Sequence, residues 1–394
     1  MADKAVREPR PGEVLLEVVA CGVCGTDLPI QDDEFPTAPP VTMGREISGL
    51  VLAVGSTPDE GWRGTTVVAE AFFSTCGVGE WCRSGRPNKC PQKHALGTFV
   101  DGGFAAQVVV PTRNLHRVPD WLDPHAAALT EPLACVCNCL CDPSPISPGD
   151  DVLVVGPGTM GRLAAQVARA AGGRVVISGT AHDAVRLALA GDLGFATILA
   201  DDAAAFARLG GGFGADVVIE CSGSGAGITA ALQAARPRGR YVQVGIAGKA
   251  VTVPLDQICY RELTVTSGQG APPHAWRRAM ALIQARLVAL EPLVSEVVPL
   301  DEWARVFAGI RAGVGVKYVF DPRLRQARAN RTAVPCTRPG WTAGGHGHMA
   351  WWRRLPFGAM GSPADRWGSL PIQAARRGAA THAAGDRTDR LDVR

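Results

Sequence analysis

Three glycines, Gly156, Gly158 and Gly161, follow the pattern G-x-G-x-x-G that suits dinucleotide binding. They come directly after the apolar run "DVLVVG", which predicts a buried strand, and they open "GRLAAQVARAAG", which predicts a helix. In such a loop the glycines allow a tight turn, a close approach of the backbone to a pyrophosphate, and close packing of helix on strand. The sequence therefore predicts an NAD or NADP site, with Thr159 and Met160 completing the loop.

The ribose of that cofactor is expected at the end of the next predicted strand, "RVVISG". NAD sites usually offer an acidic residue there to bind the ribose 2′-hydroxyl. Here the neutral residues Ser178 and Thr180 stand in its place, and Arg186 follows on the next predicted helix. A neutral pocket does not repel a 2′-phosphate, and Arg186 can either reach such a phosphate or be a surface charge. The sequence therefore leaves NAD and NADP both open.

Cysteines form a second set of residues that could bind a metal ion or form disulfides. The chain has twelve, without an export signal, so reduced thiols in a cytoplasm are expected rather than disulfides. Cys76, Cys82 and Cys90 stand at relative positions 0, 6 and 14. Four more alternate along "ACVCNCLC", residues 134–141, a spacing unlike that of a zinc knuckle. We interpret these four as small packing residues on a helix.

Two kinds of predicted elements must position these residues. The first 120 residues alternate short β-branched runs with Gly and Pro breaks, which predicts a β-rich domain. From about residue 147, buried strands alternate with helices, which predicts a parallel, doubly wound sheet. The fold class is therefore α/β with an additional β-rich part.

The last seventy residues differ from the rest in charge and texture. Residues 325–394 lose all periodicity and predict a disordered basic tail. They hold twelve arginines, no lysine and four aspartates, so the net charge of +3 arises there and the body does not read as a nucleic-acid binder. No apolar run is long enough for a membrane span and no secretory signal is evident, so a cytoplasmic location is expected.

Several motifs together resemble the zinc-dependent medium-chain dehydrogenases, most closely their polyol (sorbitol-type) and threonine dehydrogenase branch. These motifs are "CGVCGTDL" (21–28), "GREISGLVLAVG" (44–55), "CGVGEWCRSGRPNKC" (76–90), "DGGFAAQVVVP" (101–111), "LTEPLA" (129–134) and "GPGTMG" (156–161). The resemblance implies a GroES-like catalytic domain at 1–146 with a C-terminal return at 272–324, and a Rossmann domain at 147–271. It also implies hydride transfer between NAD(P) and a secondary alcohol, of polyol or hydroxy-amino-acid type, by a homodimer or homotetramer.

The same resemblance assigns roles to individual residues. Cys24 corresponds to a ligand of the catalytic zinc, and Thr26 to the hydroxyl that relays the alcohol proton. Asp27 corresponds to a carboxylate that steadies a ligand. Glu46 and Glu131 are the carboxylates that can complete the metal site. Three protein ligands and an open position would let zinc act as a Lewis acid on the alcohol.

Arg45 is the main departure from the family pattern. It stands where the family has a histidine ligand, and a guanidinium has no lone pair to offer a metal ion. It can swing away or pair with Glu46 or Glu131 and so occupy the remaining ligands. Retention of the catalytic zinc is therefore left open.

Two further departures concern metal and proton handling. Gly79 stands where the structural zinc loop of the family has its fourth cysteine, beside Cys76, Cys82 and Cys90. We expect that loop to be metal-free or loosely occupied, with water or His94 as an outside ligand. Pro29 replaces a histidine that often extends the proton relay. Family members also usually begin some twenty residues earlier, so either the start is misassigned or an edge strand is missing.

Two alternatives to a zinc-assisted dehydrogenase follow from these departures. The first is a zinc-free NAD(P)H reductase in which Arg45 binds an anionic or carbonyl group. The second is a non-catalytic nucleotide-binding homologue with impaired zinc sites.

Overall fold

The structure is a computed structural model, and it describes residues 4–324. The predicted tail at 325–394 lies outside the described residues. The strands are β1 Glu13–Gly22, β2 Glu46–Val54, β3 Thr66–Ala69, β4 Phe72–Ser74, β5 His94–Ala95, β6 Gln107–Pro111, β7 Leu115–Arg117, β8 Asp151–Val155, β9 Arg174–Gly179, β10 Ala196–Leu199, β11 Ala215–Glu220, β12 Ala235–Gln243, β13 Thr264–Ser267, β14 Val294–Val298 and β15 Lys317–Phe320.

Eleven α-helices connect and cover these strands within the described part of the chain. They are α1 Asp27–Gln31, α2 Glu80–Arg83, α3 Pro124–Ala127, α4 Thr130–Leu140, α5 Thr159–Ala170, α6 Ala184–Asp192, α7 Ala203–Arg208, α8 Gly225–Ala234, α9 Asp256–Tyr260, α10 Pro273–Gln284 and α11 Trp303–Arg311. None of these helices is long and apolar enough to cross a membrane.

The first sheet contains seven strands in the order β14-β15-β1-β2-β3-β7, with β6 also paired to β1. The long strand β1 is antiparallel to β2, β6 and β15. Its last residue, Gly22, lies opposite Glu46, the first residue of β2. Strands β14 and β15, from the far end of the described chain, thus complete a sheet built mainly from the first 120 residues.

The second sheet is fully parallel and has the strand order β10-β9-β8-β11-β12-β13. Its central strands β8 and β11 are almost entirely buried, as expected for apolar runs covered on both faces. Helix α5 follows β8 and helix α6 follows β9, as the sequence periodicity predicts. The α/β fold class, with a β-rich part and a doubly wound parallel sheet, is confirmed.

Helices α4 and α10 pack against each other and share a large apolar core with the second sheet and α5. The cysteine-rich segment forms most of α4, and Cys137 and Cys139 are buried in that core. Their packing role agrees with the interpretation of the alternating cysteines. Because Glu131 lies in the first turn of α4, this core also fixes one side of the candidate active site.

Candidate active site

The candidate active site begins where β1 ends and α1 starts. Cys24 and Thr26 lie in this connection, with Asp27 as the first residue of α1. The Cys24 amide donates a hydrogen bond to Asp27 Oδ2 at 2.9 Å, and the Cys24 thiol lies 3.5 Å from Thr26 Oγ1. Asp27 is fully buried. The short motif "CGVCGTDL" therefore folds into a compact polar turn.

Arg45, the residue immediately before β2, reaches into this turn. Its Nη2 donates a 2.8 Å hydrogen bond to Asp27 Oδ1, and the two side chains form an ion pair. The guanidinium side chain is 13% exposed, and its Nε is buried without a hydrogen-bond partner among the described residues. Arg45 therefore pairs with neither Glu46 nor Glu131, because the buried Asp27 carboxylate lies in reach of its Nη2.

Glu46 has a different cation as its partner. Lys317 Nζ, on β15, lies 2.8 and 2.9 Å from the two carboxylate oxygens of Glu46 and also donates to the Val23 carbonyl at 2.8 Å. Lys317 and Glu46 are both buried. Gly22 makes this arrangement possible, because a Cβ at that position would overlap Glu46 Oε2. The Glu46 carboxylate is therefore held by an ammonium on both oxygens.

Glu131 completes the polar cluster from helix α4. Its Oε1 accepts a 3.5 Å hydrogen bond from the Cys135 thiol, one helical turn along α4. Burial, followed by the charge of Glu46, raises the pKa of Glu131 to about 7. Burial also raises the pKa of Cys24, although the charge of Arg45 opposes this. Without a bound cation, the anionic forms of Cys24 and Glu131 are therefore both disfavoured by burial.

The charges of the two cations are firmly fixed. Burial alone would lower the pKa of Arg45, but Asp27, Cys24 and Glu131 raise it above its ordinary value. Burial likewise opposes the charge of Lys317, and Glu46 raises its pKa. The centre therefore contains two ion pairs, Arg45–Asp27 and Lys317–Glu46, that are complete without any further ion.

A catalytic zinc ion does not fit this donor set. Glu46 is engaged by Lys317, and Cys24, Glu46 and Glu131 do not gather within 4.8 Å of one another in the described part of the chain. Two unit charges about 4 Å apart interact by about 4 kcal/mol at an effective dielectric near 20, and a divalent ion doubles this repulsion from Arg45. No catalytic step through a metal ion is therefore derived from these residues.

The thiols of Cys76, Cys82 and Cys90 do converge. Their sulfur atoms lie within 4.8 Å of one another, the one such group of potential ligands in residues 4–324. The Gly79 amide donates to Cys76 Sγ at 3.3 Å, and the Cys76 amide lies 3.4 Å from Cys90 Sγ. The Gly79 hydrogen bond is the first of several contacts that lower the pKa of Cys76 to about 7. This loop therefore presents three-quarters of a tetrahedral zinc site.

The fourth side of the thiol group is formed by Gly79. A Cβ on Gly79 would lie 3.2 Å from Cys76 Sγ, so position 79 faces the cluster directly. His94 does not join the three thiols, since its Nδ1 instead lies 3.4 Å from Ser74 Oγ. The sequence expectation of His94 as an outside ligand thus has no support in the geometry.

The glycine loop connects β8 to α5, as predicted. Gly156 has φ +100°, and a Cβ there would meet the Ser222 backbone, so this turn requires glycine. Gly161 packs against the Gly156 carbonyl, where a side chain has no room. Gly158 is the N-cap of α5, and nothing lies within 4 Å of its missing Cβ. Open space at a helix N-terminus suits the pyrophosphate of a dinucleotide, so the residues present fit this cofactor.

Thr159 and Met160 form the first turn of α5, and the Thr159 hydroxyl donates to the Val316 carbonyl at 2.8 Å. This bond ties the cofactor loop to the chain segment that leads into β15. Met160 is partly buried against the large core.

The expected ribose end contains a carboxylate that sequence reasoning overlooked. Asp183 Oδ2 accepts hydrogen bonds from the Thr180 amide at 3.1 Å and the Thr180 hydroxyl at 2.8 Å. Arg186 donates to Asp183 and to the carbonyls of Gly313 and Gly315. Ser178 is buried at the end of β9. Arg186 is thus neither a free surface charge nor an unpaired phosphate ligand, because it links α6 to the 313–315 loop.

Lys317 is the other residue that sequence reasoning missed. The available signal was a single lysine in the otherwise apolar segment "GVGVKYVF", where a buried charge requires a partner. The partner, Glu46, lies 271 positions earlier in the chain. Neither periodicity nor motif spacing could have identified that pair.

Two family models match this chain. An alcohol dehydrogenase GroES-like domain matches residues 10–120, and a zinc-binding dehydrogenase domain matches residues 159–285. Among characterised proteins, a sorbitol dehydrogenase from Halalkalibacterium halodurans is 35% identical over 322 residues, covering 80% of this chain and 94% of that protein. An L-threonine 3-dehydrogenase from Bacillus velezensis is 32% identical, covering 79% and 91% of the two chains.

Solved structures show the same similarity. A protein described as a zinc-binding dehydrogenase from Sinorhizobium meliloti, bound to NADP, superposes with a TM-score of 0.74 at 33% identity, covering 81% of this chain and 94% of that chain. The 2R,3R-butanediol dehydrogenase from Bacillus subtilis gives a TM-score of 0.72 at 28% identity, covering 82% and 96%.

Proposed function

This chain belongs to the zinc-binding alcohol dehydrogenase family, and from that premise we propose how its own residues support hydride transfer between a secondary alcohol and NAD(P). The substrate class that we propose is a polyol or a hydroxy-amino acid. This class rests on the similarity to a sorbitol dehydrogenase and to L-threonine 3-dehydrogenases.

The observation that carries the proposal is the open backbone cradle at Gly158. It lies at the N-terminus of a twelve-residue helix, at the carboxyl end of a buried parallel strand. The positive end of that helix favours the cofactor phosphates. When bound, NAD(P) supplies the group that accepts or returns the hydride. Gly156, Thr159, Met160 and Gly161 shape the loop around it.

Around the alcohol, we propose that Thr26 relays the hydroxyl proton toward solvent. Its hydroxyl lies beside the Cys24 thiol, and Asp27 holds the Cys24 backbone amide. Glu131 and Glu46 line the same polar centre, with Lys317 fixing the position of Glu46. Because the donors for a catalytic zinc do not fit, these roles are assigned without a metal ion. Cys76, Cys82 and Cys90 can hold a structural zinc ion that takes no part in the chemistry.

We further propose the larger organisation that the family suggests. Residues 1–146 with 272–324 form the catalytic domain, and residues 147–271 form the nucleotide-binding domain. Strand β13 is an exposed edge of the second sheet, which supports assembly into a homodimer or homotetramer through that edge. We place the protein in the cytoplasm, in keeping with the unpaired cysteines of residues 4–324.

Replacement of Gly158 by Asp tests the proposal. The carboxylate would enter the open space where the cofactor phosphates are expected, and Gly158 has an ordinary φ of −70° that tolerates a side chain. We expect NAD(P) affinity to fall by at least about 100-fold, because two negative charges would meet in a partly enclosed site. Titration calorimetry with both dinucleotides measures the affinity, and dinucleotide reduction on a panel of polyols and hydroxy-amino acids measures turnover.

The matched control is Gly61→Asp, because Gly61, like Gly158, lacks a positive φ and has nothing near its missing Cβ, and it lies on the surface. Its affinity and turnover should equal those of the wild type. Retained dinucleotide binding in Gly158→Asp, or no turnover of any alcohol by the wild type, would contradict the proposal. The similarity to named dehydrogenases does not favour the alternatives of a zinc-free NAD(P)H reductase or a non-catalytic nucleotide-binding homologue.

A further inference from the structure

We propose that Arg45 is itself a catalytic residue, whose guanidinium binds the oxygen of the alcohol or carbonyl at the position where the family places its metal ion. This inference rests on the proposed hydride transfer and identifies the electrophile of the same site. It arises from the misfit between the donor set and a zinc ion.

The first argument is the charge balance of the centre. Arg45 is paired with the fully buried Asp27, and Lys317 is paired with the buried Glu46. All three N–H donors of Lys317 are used in hydrogen bonds to Glu46 and to the Val23 carbonyl, so none is left for a substrate. A divalent ion would add two positive charges to a centre in which the Asp27 and Glu46 carboxylates already have protein cations as partners.

The second argument is the unused donor capacity of Arg45. A guanidinium carries five N–H donors in a planar fork. Among the described residues Nη2 contacts Asp27, and Nε is buried with no acceptor. Nη1 makes no hydrogen bond in the described part of the chain and is not among the fully buried atoms, so it is the donor left for a ligand oxygen in this centre. The side chain retains 13% exposure, so it is within reach of a small molecule.

The third argument is the position of Arg45 next to the proton relay. Asp27 contacts both Arg45 and the Cys24 amide, and the Cys24 thiol lies 3.5 Å from the Thr26 hydroxyl. One compact turn therefore contains a fixed cation for the substrate oxygen and a hydroxyl for its proton. Asp27 acts through Arg45 and is a positioning residue.

The step balances without a metal ion. In the oxidative direction the C–H bond of the carbinol breaks and its hydride, with both electrons, passes to the nicotinamide ring of NAD(P)⁺. The O–H proton leaves through Thr26 to water, and the carbon–oxygen double bond forms. Arg45 donates hydrogen bonds to the oxygen while negative charge develops on it, as donors of an oxyanion hole do.

Metal content gives the first test, independently of activity. Zinc per chain is measured for the wild type and for Cys24→Ser, so that any ion in the cysteine loop counts equally in both. We expect the same zinc content in both proteins. A wild type that holds one zinc more than Cys24→Ser would overturn the inference.

Arg45→His tests whether zinc binding can be gained at the same position. The imidazole would restore the ligand type of the family, and we expect one additional zinc per chain, which is lost again in Arg45→His/Cys24→Ser. Absence of that gain would overturn the assignment of Arg45 to the metal position. The difference in visible spectrum between cobalt-loaded Arg45→His and Arg45→His/Cys24→Ser reports the same site without relying on turnover, because any cobalt in the cysteine loop is common to both.

Kinetics test the catalytic role. Arg45→Gln removes the cation, and we expect kcat to fall about 100-fold, as for loss of one oxyanion-hole donor, with dinucleotide affinity unchanged. Arg45→Lys keeps a charge for Asp27 and should retain more of kcat than Arg45→Gln, which separates charge from a folding defect. An unchanged kcat in Arg45→Gln would overturn the inference. A wild type without turnover would refute the proposed function, whereas the zinc measurements would still decide on Arg45.

Discussion

The cofactor loop and the catalytic centre are built on opposite principles. The loop at Gly156–Gly161 depends on the absence of side chains, because glycines leave room for the backbone to approach a ligand. The catalytic centre works through which side chains are present, and its two ion pairs join residues that are 18 and 271 positions apart. The residues of the cofactor loop lie in one short stretch of sequence, whereas the residues of the catalytic centre are brought together only by the whole fold.

This contrast explains why one site matches the family pattern and the other departs from it. Any substitution of Gly156 or Gly161 would place a side chain into backbone. At position 45 a larger cationic side chain is accommodated, because Asp27 already lies in reach of it. The catalytic centre thus accommodates Arg45 through a side-chain contact.

Lys317→Met tests the dependence of the centre on distant side chains, and it has the largest expected effect. The substitution leaves the Glu46 carboxylate buried without a partner, so we expect the free energy of unfolding to fall by about 3–5 kcal/mol. Denaturant unfolding measures this change.

Arg305→Met is the control for this prediction, because Arg305 forms exposed ion pairs with Glu296 and Glu302 and its loss should cost about 1 kcal/mol or less. Lys317→Met/Glu46→Gln should recover part of the lost stability, since the double variant has no unpaired charge. Equal effects of Lys317→Met and Arg305→Met would mean that the buried pair is not required for stability.

Gly79→Cys tests whether a fourth thiol at this single position completes the zinc site of Cys76, Cys82 and Cys90. The new Cβ would lie 3.2 Å from Cys76 Sγ, and a fourth thiolate would close a tetrahedral shell. We expect zinc affinity to rise by at least about tenfold, or about 1.4 kcal/mol, in competition with a chelator. Val78→Cys is the matched control, because it adds a thiol to the same loop at an exposed position. Equal affinities in the two variants would refute this view of position 79.

Asp321→Asn has the smallest expected effect and tests another long-range pair. Burial opposes the charge of Asp321, but hydrogen bonds from Arg323 and His125 lower its pKa to about 2. Because the unfolded pKa is about 3.9, the charged form stabilises the fold above about pH 4, and this contribution is lost as the pH falls toward 2.

We therefore expect Asp321→Asn to lower the free energy of unfolding by about 1 kcal/mol near pH 7. The difference from the wild type should shrink between about pH 4 and pH 2, as measured by urea unfolding at several pH values. A difference that does not change with pH would show that the charge of Asp321 is not the cause.

Much of the fold could be predicted from sequence because its signals are local. Strand β8, helix α5 and strand β9 follow directly from apolar periodicity and from the glycines between them. Helix α4 was expected after Glu131, and the burial of Cys137 agrees with its interpretation as a packing residue. These elements need no information from distant parts of the chain.

The partners of charged residues could not be predicted in the same way. The replacement of the family's histidine by Arg45 was visible in the sequence, but its pairing with Asp27, 18 positions earlier, depends on the fold. The Lys317–Glu46 pair depends on β15 joining the sheet of β1 and β2. Asp183 was overlooked because its role comes from the turn after β9 and not from the strand end itself.

The Lys317–Glu46 pair also bears on synthesis of the protein. The ribosome adds Lys317 271 residues after Glu46, which takes roughly 14 to 54 s at elongation rates of about 5–20 residues per second. During that interval the Glu46 carboxylate has no ammonium partner, and β1 has no β15 beside it. The catalytic pocket is therefore among the last parts of the nascent chain that can reach its final form.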